Sequence, residues 1–132
     1  MKKPTFKNYY SFFWTIIILI LCSFPGNAIP EFQWLEMLAF DKWVHASVFF
    51  ILGIAYTNTL MSQRKIVLLN RFPKVFALLF SISYGLLLEF LQYKVFFQRS
   101  GDWADVLANS IGAAFAFVFF EKLNFFLLEK QA

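Results

Sequence analysis

The chain has 132 residues, of which 60% are hydrophobic and 15% charged, with a formal net charge of +4. A soluble domain is nearer half apolar and a quarter charged, and one this small has too little interior to hide twenty phenylalanines. The composition excludes an ordinary soluble fold. The basic residues are scattered over short connections rather than gathered into a stripe, which excludes nucleic acid as a partner.

A helix that crosses a hydrocarbon layer about 30 Å thick needs roughly 17–25 mostly apolar residues. Four stretches read as such spans, so the expected fold is all-α: a transmembrane four-helix bundle, with the whole chain, 1–132, as one domain. The first span runs from about 9 to 24; it is short but nearly uniformly apolar, and Pro25-Gly26 ends it. It has a competing reading as a cleaved signal peptide, because a basic start precedes it and Gly26-Asn27-Ala28 offers a small-x-small site. The second span covers about 43–61, the third about 75–96 and the fourth about 103–120, with an apolar continuation to Leu128. Cys22 is the single cysteine, so no intrachain disulfide can form.

Lys and Arg in short connections set orientation, because they resist translocation. Lys2, Lys3, Lys7, Arg64, Lys65, Arg71, Lys74, Lys122 and Lys130 fall on one side, against Lys42, Lys94 and Arg99 on the other. Nine against three predicts that both termini are cytoplasmic.

With that topology, the residues hardest to reconcile with lipid collect at three helix ends on the outer side. The second span opens with Asp41, Lys42 and His45. The third closes with Glu89 and Gln92. Arg99 follows in the connection, and the fourth span opens with Asp102, Asp105 and Asn109. Asp41 and His45 are one turn apart, and Glu89 and Gln92 are neighbours at i, i+3. Ala104, Ala108, Gly112 and Ala116 form a small-residue stripe that permits close helix approach in lipid. Glu89 lies deepest, between Leu88 and Phe90. An acid at that depth is costly and by default marks a functional site with a partner to be named; the candidate cations are Arg99, Lys42 and protonated His45.

Several chemistries fit this set. Glu89 and His45, the only histidine, could exchange protons as general acid and base. Lys42 and Arg99, with the positive ends of two helices, could hold a phosphate at headgroup height. A metal site lacks any supporting spacing such as H-E-x-x-H, and no cofactor is expected. The structural alternative is a hydrogen-bonded ion network that locks three helices together, with Asp41 and Asp102 serving as helix caps.

The same residues carry a resemblance. Asp41-Lys42-Trp43-Val44-His45, then Tyr84-Gly85 with Glu89 and Gln92, then Arg99, and then Asp102-Trp103-Ala104-Asp105 with Asn109 and Gly112 resemble the VanZ-like family, in the family's order over about 38–120. The resemblance implies a multi-pass protein of the bacterial cytoplasmic membrane. The family's namesake is associated with teicoplanin resistance, a property not carried over to this chain. It also implies that the cluster works as one unit.

The resulting expectation is an envelope-facing protein that binds or modifies a lipid or lipid-linked headgroup, with membrane lipids or a lipid-linked envelope precursor as partner. Glu89 and His45 handle protons in this reading, Lys42 and Arg99 hold the anion, and Asp41, Gln92, Asp102, Asp105 and Asn109 position them. The rival expectation is a non-enzymatic structural or partner-binding membrane protein. A transporter ranks lower, since four helices are few for a transport path.

Overall fold

A computed structural model describes residues 9–24, 40–95 and 102–129, the last segment with side chains as far as 123. The regular structure of these residues is helical throughout: α1 (Tyr10–Ser23), α2 (Phe40–Ser62), α3 (Val67–Arg71), α4 (Pro73–Lys94) and α5 (Trp103–Glu129). Three helices are long and apolar enough to cross a membrane: α2, α4 and the Trp103–Leu123 part of α5. The expected first span is shorter. The 14 residues of α1 are apolar, but at about 1.5 Å per residue they reach only about 21 Å.

The helix bounds follow local chemistry. Asp41 sits in the first turn of α2, where a carboxylate favours the helix dipole. α4 starts two residues earlier than expected because Pro73 takes its first position, where the missing N–H costs nothing. It ends at Lys94, with the Val95 N–H closing on the Leu91 carbonyl at 2.8 Å. α5 begins at Trp103, as expected, and continues past 120.

The connection between α2 and α4 was expected as a basic loop and contains a short helix, α3. Side-chain amides wind it. Asn70 Nδ2 donates to the carbonyls of Met61 at 2.8 Å and Gln63 at 3.1 Å, and Gln63 both donates to the Ile66 carbonyl and accepts its N–H.

α2, α4 and α5 pack against one another, most extensively α2 with α5, and α1 lies against α2 and α4. The small-residue stripe explains the α2–α5 contact. Ala108, Gly112 and Ala116 are buried, while Ala104 is exposed. A Cβ added at Gly112 would overlap the Ala46 backbone, and one at Gly53 would lie 2.6 Å from Ala116 Cβ. Phe49, Leu52, Leu88 and Ile18 form the apolar core, with Trp14, Tyr56 and Tyr84 packed around it.

α1 joins this core through polar groups as well. Trp14 Nε1 donates to the Val48 carbonyl at 3.0 Å, and Ser11 Oγ shares a 2.9 Å hydrogen bond with Thr59. Thr15 Oγ1 donates to Ser11 O, so the Tyr56 hydroxyl, 2.9 Å away, donates to Thr15. From α4, the Tyr84 hydroxyl donates to Thr15 O at 2.7 Å and Gln92 Nε2 to Cys22 O at 3.3 Å. These contacts run α1 antiparallel to α2 and parallel to α4. They therefore bring the start of α2 to the same end as the close of α4, and contacts of Lys42 and Glu89 with Asp102 place the start of α5 there too.

Candidate functional site

That shared end gathers the polar residues. Lys42, in the first turns of α2, reaches toward α5. Its ammonium lies 2.9 Å from Asp41 and 2.9 Å from Asp102, and closest of all to Asp105. An ammonium has three N–H donors, and here three carboxylates surround it. The ammonium and its partners differ in access: the Lys42 side chain is 26% exposed, Asp105 13% and Asp41 60%.

One turn further along α2, His45 faces α5 beside Lys42. Its Nδ1 lies 3.0 Å from Asn109 Oδ1, so the ring donates to the amide oxygen. Its Nε2 is turned toward Asp105 Oδ2 at 3.8 Å, an ion-pair separation when the ring is protonated and too long for a direct hydrogen bond. Asn109 is fully buried. The close approach at Gly112, one turn beyond Asn109, is what brings the two helices near enough for these short side chains to meet.

Asp102 links this network to α4. Its Oδ1 accepts the Ala104 N–H at 2.9 Å, the hydrogen bond of an N-cap. The Lys42 ammonium, and after it the Ala104 N–H, hold the Asp102 carboxyl below the usual carboxylate range. Glu89, from α4, accepts the backbone N–H of Asp102 on Oε2 at 2.8 Å and is only 8% exposed. The deep acid expected to mark a functional site therefore helps fix where α5 begins. Asp102 acts as the expected cap, whereas Asp41 lies inside the first turn of α2 rather than before it.

On the other side of Glu89 a groove of about 440 Å³ runs between α4 and α5, lined by Leu86, Glu89, Phe90, Tyr93, Asp102, Trp103 and Val106. Its walls are apolar and aromatic, and its polar wall is a pair of carboxyl groups. Sequence reading identified the two acids and missed the groove. A signal was present in the i, i+4, i+7 spacing of Leu86, Phe90 and Tyr93, which places all three on one face of α4.

The structure thus brings together seven of the nine expected site residues: Asp41, Lys42, His45, Glu89, Asp102, Asp105 and Asn109. Gln92 is buried against α1 through its hydrogen bond to Cys22. Arg99 lies outside the described residues. Among the described residues, no group of three or more His, Cys, Asp or Glu side chains is arranged to hold a metal ion.

A family model described as VanZ/LLP1 matches residues 6–127. No curated protein and no solved structure matches the chain.

Proposed function

The chain belongs to the VanZ-like family of membrane proteins, and from that premise we propose that it binds or modifies a lipid or lipid-linked headgroup at the outer face of the bacterial cytoplasmic membrane. The observation that carries this reading is the groove between α4 and α5. It has the size of a small-molecule pocket, its flanks are apolar, and Glu89 joins it to the ion network. In this reading the whole chain is one domain with four spans and cytoplasmic termini. The hydrogen bonds that tie α1 to α2 and α4 support its retention as a span rather than its removal as a signal peptide.

Roles follow from the geometry. Glu89 and His45 handle protons, each already hydrogen-bonded to a group that orients it. Lys42, with Arg99, holds the anionic part of a headgroup. A phosphate would enter by replacing Asp41, the most exposed of the three carboxylates around Lys42. Asp102, Asp105, Asn109, Gln92 and Asp41 position these groups.

A second reading also has an observation in its favour. Three carboxylates around one ammonium, with Glu89 bonded to the α5 cap, are a complete structural lock. A structural or partner-binding protein needs no more than that.

Glu89→Gln separates the two readings, because the amide oxygen of Gln can still accept the Asp102 N–H. If the proposal holds, the variant accumulates and melts within about 1 kcal/mol of wild type, the worth of one weakened hydrogen bond. Lipid profiles of cells carrying it should then match those of a deletion strain, with the same headgroup species altered. A variant that fails only by losing stability, or a deletion that leaves the lipid profile unchanged, contradicts the proposal. Orientation is tested by labelling introduced cysteines: Ser100→Cys is expected to react from outside and Leu68→Cys only from the cytoplasm. The reverse pattern would move the site to the inner face.

A further inference from the structure

The end of the spans opposite the ion network carries a different pattern. α3 lies between the close of α2 at Ser62 and the start of α4 at Pro73, the level at which both spans leave the hydrocarbon. Among the described residues it packs against α2 and α4 only, so it flanks the helix pack and does not cross its end. Asn70 is turned toward α2, its amide held by the Met61 and Gln63 carbonyls. The apolar side chains before it are turned out: Ile66, Val67 and Leu68 are 53%, 77% and 56% exposed. Gln63 bonds both polar atoms of the Ile66 backbone, so this outward run is fixed in place by the connection itself. Three adjacent aliphatic side chains held away from the protein gain by leaving water, and the nearest apolar medium at that level is the leaflet beside them.

The charges around the run have one sign. Arg64 and Lys65 precede it, Arg71 follows it, and between Asp41 and Glu89 the chain has no acid. Lys74 is neutralised by Glu121 at 3.0 Å. Arg64, Lys65 and Arg71 enter no ion pair among the described residues. Arg71 lies over the Phe72 ring at 5.5 Å, a contact that leaves its charge uncompensated. Basic residues here also resist translocation. That accounts for their sign but not for the apolar run they flank. Aliphatic groups bordered by cations at the membrane interface match a leaflet containing anionic lipid, whose chains receive the first and whose phosphates attract the second. An acidic protein surface answers the cations alone.

We infer that α3 and its flanks dock on anionic phospholipid, with Ile66, Val67 and Leu68 seated among the upper acyl chains and Arg64, Lys65 and Arg71 on the surrounding phosphates. In the orientation proposed above, that leaflet is the cytoplasmic one. The inference is independent of the headgroup reading, whose groove lies at the other end of the spans.

Full-length protein in detergent can be titrated by native mass spectrometry with phosphatidylglycerol and with phosphatidylcholine of identical chains. Phosphatidylglycerol is expected to bind about ten-fold more tightly. The triple variant Arg64→Gln, Lys65→Gln, Arg71→Gln should shrink that preference to about two-fold or less. Arg64→Gln with Lys65→Gln alone, which leaves the Arg71–Phe72 contact intact, should lower it about three-fold and keeps the test valid if the triple variant fails to fold. Lys122→Gln, on α5, should leave it unchanged. Equal binding of the two lipids to wild type would overturn the inference. A preference that survives the triple variant but falls in Lys42→Met would belong to the headgroup site, and one lost equally in Lys122→Gln would report net charge; either result overturns the assignment to α3. Seating is read separately in nanodiscs of equal parts phosphatidylcholine and phosphatidylglycerol, with Val67→Cys in a Cys22→Ala background carrying an NBD fluorophore. Nitroxide on the lipid chains is expected to quench it more strongly than aqueous iodide. Stronger quenching by iodide would place the run in water, where an acidic soluble partner is the better match, and would overturn the lipid assignment.

Discussion

Gly112→Ala is expected to destabilise the protein by about 2–3 kcal/mol, and Gly112→Leu by enough to leave little folded material. Inserting carbon into a filled contact costs about 1–3 kcal/mol when side chains can shift, and more when they cannot. Here the clash is with the carbonyl oxygen, carbonyl carbon and Cα of Ala46, all backbone. Relief requires α2 and α5 to separate along the length of their contact. Separation at that level also draws His45 from Asn109 and Lys42 from Asp105, which depend on the same approach. The check is thermal unfolding in detergent beside folded yield, with Ala104→Leu as control. Ala104 belongs to the same stripe but is exposed, so its variant should stay within about 0.5 kcal/mol of wild type. A Gly112→Ala protein that melts with wild type would mean that the two helices do not need this approach.

Lys42→Met is expected to cost about 3 kcal/mol, the low end for breaking a buried ion pair, because Lys42 retains some access to water. Removal of the ammonium leaves Asp41, Asp102 and Asp105 facing one another without their shared cation. Asp105 bears most of the loss because it is the least exposed of the three. The paired variant Lys42→Met with Asp105→Asn should therefore recover a large part of the stability, as neighbours in one network do not add. The pH dependence has a definite sign. Asp102 titrates below its ordinary value of 3.8 in the folded protein. Its contribution is present above that value and lost as pH falls through the lower, folded one. The gap between wild type and Lys42→Met should thus narrow in acid below about pH 4. A gap that persists unchanged to low pH would assign the cost to lost packing of the lysine stem instead.

Much of this arrangement is legible in the residues themselves. The long helices show in their apolar runs, and the meeting of Asp41, Lys42 and His45 with Asp102, Asp105 and Asn109 follows from orientation and helical spacing. The stripe at every fourth residue was read correctly from Ala108 to Ala116. It fails at Ala104 for a geometric reason: each step of four residues advances about 40° beyond a full turn, so Ala104, two steps before the Gly112 contact with α2, lies about 80° round the helix from it. The partner of Glu89 was sought among cations, yet one that the structure supplies is a backbone N–H, which no side-chain inventory reveals. The groove was hidden because it depends on how α4 and α5 are rotated about their axes, not on either sequence alone. α3 arises from Asn70 and Gln63 amides that read as ordinary loop polarity.

The polar edge of α1 also sets a schedule for assembly. When α1 is synthesised, its eventual partners on α2 and α4 do not yet exist. Val48 follows Trp14 by 34 residues and Tyr56 follows Thr15 by 41. Tyr84 follows Thr15 by 69, and Gln92 follows Cys22 by 70. The partners of α1 on α2 are therefore made before those on α4, and Ser11, Trp14 and Thr15 precede their partners on both helices. Translation order is in this way written into the side of α1 that the finished protein buries.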